Sequence, residues 1–204
     1  MKAIKDVRSR GRQPTFDREE AIEIALNLFW RHGYDGVSVA SLTHAIGIAA
    51  PSLYHAFGSK ADLYREVLRR YNGMNIGADE IATAPTSLEA VRLALERGIA
   101  AVTRSDRPAG CMLSSGLLMT SFNNAELAAE LRADRARLRT SLEHRMKRDI
   151  EAGLLEASVD AVSWARFYAS VLQGISVQAI DGATPAELHA VMRNALDAWP
   201  GTPD

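Results

Sequence analysis

Apolar residues in the first part of the chain recur with the period of an α-helix. Asp17 has the position of an N-cap, with Glu20 three residues later, and an apolar stripe follows. Gly33 ends the pattern. The stripe is spaced i, i+3, i+4 and i+7 and consists of Ile22, Ala25, Leu26 and Phe29. We therefore predict a long first helix that is buried on more than one side.

Two short helices are predicted next. Ser38 is an N-cap for the segment "VASLTHAI", and Gly47 is a left-handed stop after it. A further helix begins near Ala50 and ends at Gly58, with Pro51 in its first turn, where a helix has no use for the backbone N–H. The sequence thus predicts two short helices joined by a tight glycine turn.

The remaining apolar patterns are helical as well. Predicted helices begin at Ser59, Thr86 and Thr184 and also cover 124–152 and 160–180. β-branched runs are scarce, and no segment has the alternating period of a strand. We predict an all-α chain with a basic arm (1–16), a first helical domain (17–63) and a second helical domain (64–204).

Composition is that of an ordinary globular protein. The 204 residues are 47% hydrophobic and 24% charged, enough for a real core without metal or disulfide support. Cys111 is the single cysteine and has no partner for an internal disulfide. The chain has no apolar run near the roughly 18 residues of a membrane span. We expect a soluble cytoplasmic protein without a membrane partner.

The net charge of −1 hides an uneven distribution. Residues 1–72 hold 11 Lys and Arg against 8 Asp and Glu (+3), whereas residues 73–204 hold 13 against 17 (−4). The first fourteen residues alone carry Lys2, Lys5, Arg8, Arg10 and Arg12 against Asp6. A basic arm on an acidic body favours a polyanionic partner at one end of the molecule, although a merely solvated tail has the same composition.

The stretch "GIAAPSLYHAFGSKADL" (47–63) contains the first candidate functional residues. Leu53 and Phe57 lie four residues apart and share the inward face of the predicted short helix. The other face carries Ala50, Pro51, Ser52, Tyr54 and His55. An outward tyrosine does not stabilise a small domain, so this face favours a function. Two short helices and a tight turn predict a helix-turn-helix whose second helix enters the DNA major groove.

Side-chain chemistry agrees with contacts to DNA. Ala50 and Pro51 are small enough to contact a thymine methyl, and the Ser52 hydroxyl can reach a base edge. Phosphate oxygens are the predicted partners of Ser38, Tyr54, His55 and Lys60. Lys60 lies in the first turn of the fourth helix, where the helix dipole disfavours a cation unless a phosphate is shared.

The segment "AIEIALNLFWRHGYDGVSVASLTHAIGIAAPSLYHAFGSKADLYREVL" resembles the DNA-binding domain of the tetracycline-repressor (TetR/AcrR) family. The resemblance covers about 55 residues and rests on the combination of LF…HGY, S-V-x-x-L, A-x-G-I, S-L-Y-H-x-F and S-K-x-x-L. It implies phosphate contacts from Ser38, Tyr54, His55 and Lys60, and base reading near Pro51 and Ser52. Ala49 and Ala50 depart from the family pattern, so Arg10 and Arg12 are expected to add minor-groove contacts.

By the same resemblance, the second domain dimerises and binds an effector. We expect the last two helices to form a two-fold, four-helix interface in a homodimer. An apolar effector pocket is predicted from Cys111, Met112, Met119, Phe122, Trp164 and Tyr168, although each of these residues also suits an ordinary core. Cys111 is additionally a candidate thiol sensor, with a small buried hydrophobe as the alternative.

The sequence therefore predicts a ligand-responsive repressor that binds a palindromic operator of double-stranded DNA as a dimer and is released by a small apolar ligand. A thiol-based sensor and a sequence-tolerant architectural protein remain the alternatives. An enzyme is not expected, because the chain contains no GxSxG, P-loop or GxGxxG motif. The five histidines include no His-x-x-x-His pair, so neither a metal nor another cofactor is predicted.

Overall fold

The computed structural model describes residues 16–74, 78–116, 118 and 124–201. These residues form ten α-helices and no strand, which confirms the all-α prediction. The helices are α1 (Arg18–Gly36), α2 (Val39–Ile46), α3 (Ala50–Phe57), α4 (Lys60–Gly73), α5 (Ala78–Thr83), α6 (Ser87–Val102), α7 (Met112–Ser115), α8 (Ala125–Glu151), α9 (Ala161–Ile180) and α10 (Pro185–Asp197). Within this part of the chain, no helix is long and apolar enough to cross a bilayer.

The predicted N-caps are confirmed by their hydrogen bonds. The Asp17 carboxylate accepts from two backbone N–H groups of the first turn of α1, and the Ser59 hydroxyl accepts from the N–H of Asp62. Thr184 forms a complete capping box at the start of α10. Gly33, the predicted end of the first helix, interrupts α1 with a φ of 68°, and one more turn follows it to Gly36.

The first hydrophobic core is enclosed by α1 to α4. Phe29, Tyr34 and Tyr64 form an aromatic cluster in it, with centroids of Phe29 and Tyr64 4.9 Å apart. The other large buried side chains of this core include Leu26, Leu42, Leu53, Leu63, Met112 and Leu131. Because the last two come from α7 and α8, the second half of the chain also packs into the first core.

The second core lies among α5, α6, α8, α9 and α10. Tyr168 is fully buried there, and its hydroxyl donates to the backbone oxygen of Ala195 at 3.2 Å, which ties α9 to α10. Burial raises the pKa of this phenol well above its ordinary range, so the hydroxyl stays a donor. Helices α5, α6, α8, α9 and α10 thus form a second packed unit, next to the one formed by α1 to α4.

Helix α4 joins the two cores. Its five buried side chains, Leu63, Tyr64, Val67, Leu68 and Tyr71, all belong to the first core. Arg65 on the same helix makes a bidentate contact with Glu130 of α8, with nitrogen–oxygen distances of 2.8 and 3.0 Å. The domain boundary predicted between 63 and 64 thus falls inside a continuous helix.

Candidate DNA interface and effector cavity

The turn between α2 and α3 sets the direction of α3. Gly47 has a φ of 78°, a left-handed conformation that glycine adopts without steric cost, and its N–H bonds to the oxygen of Thr43 at 2.9 Å. Leu42 and Leu53 are completely buried on the two sides of this turn. The two helices are therefore held as a helix-turn-helix by one backbone turn and a shared apolar contact.

The outer face of α3 is the one that the sequence predicted. Leu53 and Phe57 are buried, whereas Pro51, Tyr54 and His55 are exposed. The Tyr54 side chain is 48% exposed although it is a large aromatic group. Ala50 and Ser52 are half-buried at the start of the helix. This face presents hydroxyl, imidazole and small apolar groups to solvent, the types that contact phosphates and base edges.

Ser38 lies beside this face, at the start of α2. It is exposed, and its hydroxyl accepts from the N–H of Ser41 at 3.0 Å, while the Ser41 hydroxyl donates to the Ser38 carbonyl at 2.8 Å. The sequence predicted Ser38 as the cap but not Ser41 as its partner, because serine at the third helical position is a less common partner than Glu or Gln. Ala49, which precedes α3, makes no side-chain cap bond.

Lys60 is directed towards the end of α1. Its amine donates to the backbone oxygens of Tyr34 at 2.8 Å and Val37 at 2.7 Å, and lies 4.1 Å from the centroid of the Tyr34 ring. Burial lowers the pKa of the amine. These contacts offset the unfavourable position of a cation in the first turn of α4. The phosphate contact of Lys60 stays a prediction from the sequence.

A cavity of about 320 Å³ lies between α4, α6, α8 and α9. Such a volume is within the ~300–1,000 Å³ of small-molecule sites. Its polar wall includes Tyr71, Asn72, Arg97, Cys111, Ser114, Asp134, Arg137 and Ser176. Its apolar wall consists of Ala94, Gly98, Ala101, Val102, Leu113, Leu138 and Leu172.

Cys111 is partly exposed at the wall of this cavity, at the start of the short helix α7. Its backbone N–H donates to the Ser176 hydroxyl of α9 at 2.8 Å. The Tyr71 hydroxyl of α4 donates to its sulfur at 3.2 Å and accepts from the N–H of Met112 at 3.3 Å. Cys111 therefore contacts α9 through its backbone N–H and α4 through its sulfur.

The other predicted effector residues lie elsewhere. Met112 is buried in the first core, and Trp164 and Tyr168 pack in the second core, where both rings are within 6.0 Å of one another. None of these three lines the cavity beside Cys111. Met119 and Phe122 fall outside the described residues, as do Arg10 and Arg12 of the predicted DNA-binding arm.

A second cavity, of about 480 Å³, adjoins the first, because Tyr71, Arg97 and Ala101 line both. Its remaining wall consists of Trp30, Met74, Glu80, Ala100, Arg104 and Arg107. The sequence did not predict this second cavity, because its residues come from α1, α4, α5, α6 and the loop after α6. The sequence signal that could have indicated it is the group of three arginines within eleven positions, Arg97, Arg104 and Arg107.

Charges around the second cavity are partly neutralised within the protein. Arg104 pairs with Asp106 at 2.7 Å, and Arg107 pairs with Glu23 of α1. Arg97 has no ion-pair or hydrogen-bond partner among the described residues. In that same part of the chain, no group of three or more His, Cys, Asp and Glu side chains is placed to hold a metal ion.

Comparison with known proteins agrees with this architecture. The family model described as "Bacterial regulatory proteins, tetR family" matches residues 21–67, which contain α2, α3 and their turn. The HTH-type transcriptional repressor ComR of Escherichia coli (strain K12) is 32% identical over 197 residues, covering 95% of this chain and 93% of ComR. The chain belongs to the TetR family. It is accordingly a transcriptional repressor of the DNA-binding, helix-turn-helix type.

Solved structures of TetR-family regulators share the fold over nearly the whole chain. A CifR variant with three cysteine substitutions, in complex with a 26-base-pair operator, has a TM-score of 0.85 at 39% identity and covers 93% of this chain and 100% of its own. AibR, in complex with isovaleryl coenzyme A and operator DNA, has a TM-score of 0.67. It is 17% identical over 90% of this chain and 98% of its own, so it shows the fold alone.

Proposed function

We propose that this TetR-family protein binds a palindromic operator as a homodimer and leaves it when a small ligand with an apolar body fills the cavity beside Cys111. The position of α4 is the observation that supports this proposal. Its buried side chains belong to the DNA-binding core, whereas Tyr71 and Asn72 near its end form part of the cavity wall. A ligand in the cavity therefore contacts the helix against which α3 packs.

The exposed face of α3 supports the assignment of DNA contacts. Base-edge contacts are assigned to Ala50, Pro51 and Ser52, since the N-terminal end of a recognition helix is nearest the bases. Phosphate contacts are assigned to Ser38, Tyr54 and His55, and minor-groove contacts to Arg10 and Arg12. Substitutions at base-edge residues and at phosphate-contacting residues predict different phenotypes, because phosphate contacts carry no sequence information.

The outer faces of α9 and α10 support a homodimer. Phe167, Val177 and Val191 are 39%, 49% and 41% exposed, although they are large apolar residues. Gly174 lies between the first two on α9, and nothing is within 4 Å of the position that a Cβ would take there. A second copy packed on this apolar face, with close approach at Gly174, forms a four-helix interface with two-fold symmetry.

Release follows from the geometry that a dimer must satisfy on DNA. Two recognition helices meet successive major grooves only when they lie about 34–36 Å apart. A ligand that binds better to a conformation with another separation lowers operator affinity by that difference in binding. Helix α4 contacts both the cavity and the first core. A displacement of α4 by the ligand would therefore move α3 and change the separation of the two recognition helices.

A thiol-sensing regulator is the second candidate. The observation that favours it is the contact of the Cys111 sulfur with the Tyr71 hydroxyl, which joins a partly exposed thiol to α4. Covalent modification of the sulfur would then displace the same helix as a bound ligand. CifR, which is similar over 93% of this chain, was solved with cysteine substitutions. The two candidates differ in whether Cys111→Ser abolishes the response.

Selection of bound duplexes from a random pool, at about 150 mM salt to weaken nonspecific binding, tests the proposal. A palindromic consensus is expected. Ser52→Ala should change the selected sequence, whereas Tyr54→Phe should weaken all sequences alike. Enrichment of A·T content alone would overturn the operator model and support a sequence-tolerant architectural protein.

A further inference from the structure

The two adjoining cavities differ in chemistry. The cavity beside Cys111 is lined by alanine, leucine and valine side chains together with polar residues, among them the ion-paired Asp134 and Arg137. The second cavity has three arginines, Arg97, Arg104 and Arg107, against one carboxylate, Glu80. Arg97, an exposed residue of α6, lines both cavities and so lies where the two compartments meet. A molecule that spans both compartments is therefore amphipathic.

Donors dominate the second cavity. The three arginine side chains donate hydrogen bonds and accept none. Glu80 is the one carboxylate among the lining residues. The lining thus has more donors than acceptors and favours a ligand that brings acceptors.

Two of the three arginines of the second cavity are already in ion pairs. Arg104 and Asp106 form an exposed pair near each other in the sequence, which is easily exchanged for another anion. Arg107 is held by Glu23. Arg97, in contrast, has no hydrogen-bond or ion-pair partner among the residues that the structure describes, and a guanidinium binds a carboxylate through two parallel hydrogen bonds. The anionic group of the ligand is therefore expected at Arg97.

We propose that the effector is an organic anion, with an apolar body in the cavity beside Cys111 and a carboxylate in the second cavity, bound by Arg97. This inference rests on the proposed release by a ligand and specifies the class of that ligand. A neutral apolar molecule leaves the donors of the second cavity without partners. A cation is disfavoured, because Arg97 is positively charged and its two neighbouring arginines are already paired with Asp106 and Glu23.

The same site connects the anion to the DNA-binding core. Arg107 is in the loop after α6, and its partner Glu23 lies on α1, where it also contacts Arg70 of α4 at 3.4 Å. A carboxylate bound beside Arg107 competes with Glu23 for that guanidinium. Binding thus weakens a tie between the effector cavity and α1, the first helix of the DNA-binding core.

Calorimetric titration of the full chain without DNA, at about pH 7, tests the proposal with octanoate, 1-octanol and octylamine. These probes share an eight-carbon chain and differ in the head group. Octanoate should bind at least about tenfold more tightly than octanol, the factor for one charge-assisted hydrogen bond. Octylamine should not bind. Equal binding of octanol, or no binding of any carboxylate from butanoate to dodecanoate, overturns the proposal.

Substitution at Arg97 locates the anion. Arg97→Met should weaken octanoate binding by at least about tenfold and leave octanol binding unchanged, which also shows that the cavity is intact. Arg92→Met is the matched control, because Arg92 is an exposed arginine of the same helix that lines neither cavity. An equal loss in both variants overturns the assignment of Arg97.

Operator release is measured separately, so the two proposals can fail separately. Octanoate that binds with this preference but leaves the operator complex intact contradicts release by a ligand and keeps the anion site. Release by octanol as readily as by octanoate contradicts the anion site and keeps release by a ligand.

Discussion

The hydroxyl of Tyr71 donates a hydrogen bond to the sulfur of Cys111 across 3.2 Å, and the two residues lie 40 positions apart in the sequence. Tyr71 is in the last part of α4, and Cys111 precedes α7 at the cavity wall. The bond therefore connects the Cys111 sulfur to the helix that completes the first core.

Tyr71→Phe should slow the alkylation of Cys111 by N-ethylmaleimide. A hydrogen bond donated to sulfur stabilises the nucleophilic thiolate, and its loss is worth about 1 kcal/mol, a factor of about five in rate. The rate is measured by mass spectrometry under excess reagent. Tyr54→Phe is the control, since Tyr54 is an exposed tyrosine of α3. An unchanged rate in Tyr71→Phe would mean that the hydroxyl does not act on the sulfur.

Lys60→Met should lower the free energy of unfolding by about 1–3 kcal/mol, because two backbone oxygens at the end of α1 lose a charged donor. Urea unfolding gives this value. We expect the slope of log affinity for DNA against log salt to stay unchanged. A slope smaller by about 1 would instead support the phosphate contact predicted from the sequence. Arg69→Met, an exposed residue of the same helix, controls for loss of charge.

Arg145→Ala should destabilise the second core strongly. Arg145 and Asp149 form a buried ion pair at 2.6 Å on α8, and Asp149 also accepts from the N–H and hydroxyl of Ser87. Removing the cation leaves a buried carboxylate without its charge partner, which costs about 3–5 kcal/mol. Arg148→Ala, three residues on at the exposed surface, should change unfolding by under about 1 kcal/mol. Similar values for the two variants would contradict this role of the pair.

Val191→Asp should convert the proposed dimer to a monomer, since it places a charge on the exposed apolar face of α10. Sedimentation velocity measures the change. Leu154→Asp is the matched control, because Leu154 is 62% exposed but lies between α8 and α9, off that face. Ala195, on the same helix, is buried within one protomer, so a charge there would destabilise the core instead. A persistent dimer in Val191→Asp contradicts the assigned interface.

Asp62 should make the first core less stable in acid. The Ser59 hydroxyl donates to its carboxylate at 2.6 Å and, with Arg65, holds its pKa below the ordinary 3.8. A carboxyl whose pKa is lower in the folded state stabilises it above the ordinary value, and this contribution is lost as the pH falls. The difference in unfolding midpoint between the wild type and Asp62→Asn should therefore shrink from about pH 6 to about pH 3. A constant difference contradicts the linkage, and Asp197→Asn controls for loss of an exposed charge.

The helices and the outward face of α3 follow from the sequence by itself. The caps at Asp17 and Thr184 and the burial of Leu53 and Phe57 were all predicted, and the structure confirms them. The reason is that a cap joins residues two or three positions apart, and the faces of a helix repeat every 3.6 residues. Such features need no knowledge of the rest of the chain.

Only the tertiary structure decided where long-range partners meet. The Lys60 amine is bound by the oxygen of Val37, 23 positions away, and the cavity beside Cys111 takes its wall from several helices. Trp164 and Tyr168 lie in the core instead, because apolar side chains of the same type suit a packed interior and a cavity wall equally well. Which of the two they line depends on how helices distant in the sequence cross, and the local pattern of apolar residues does not contain that information.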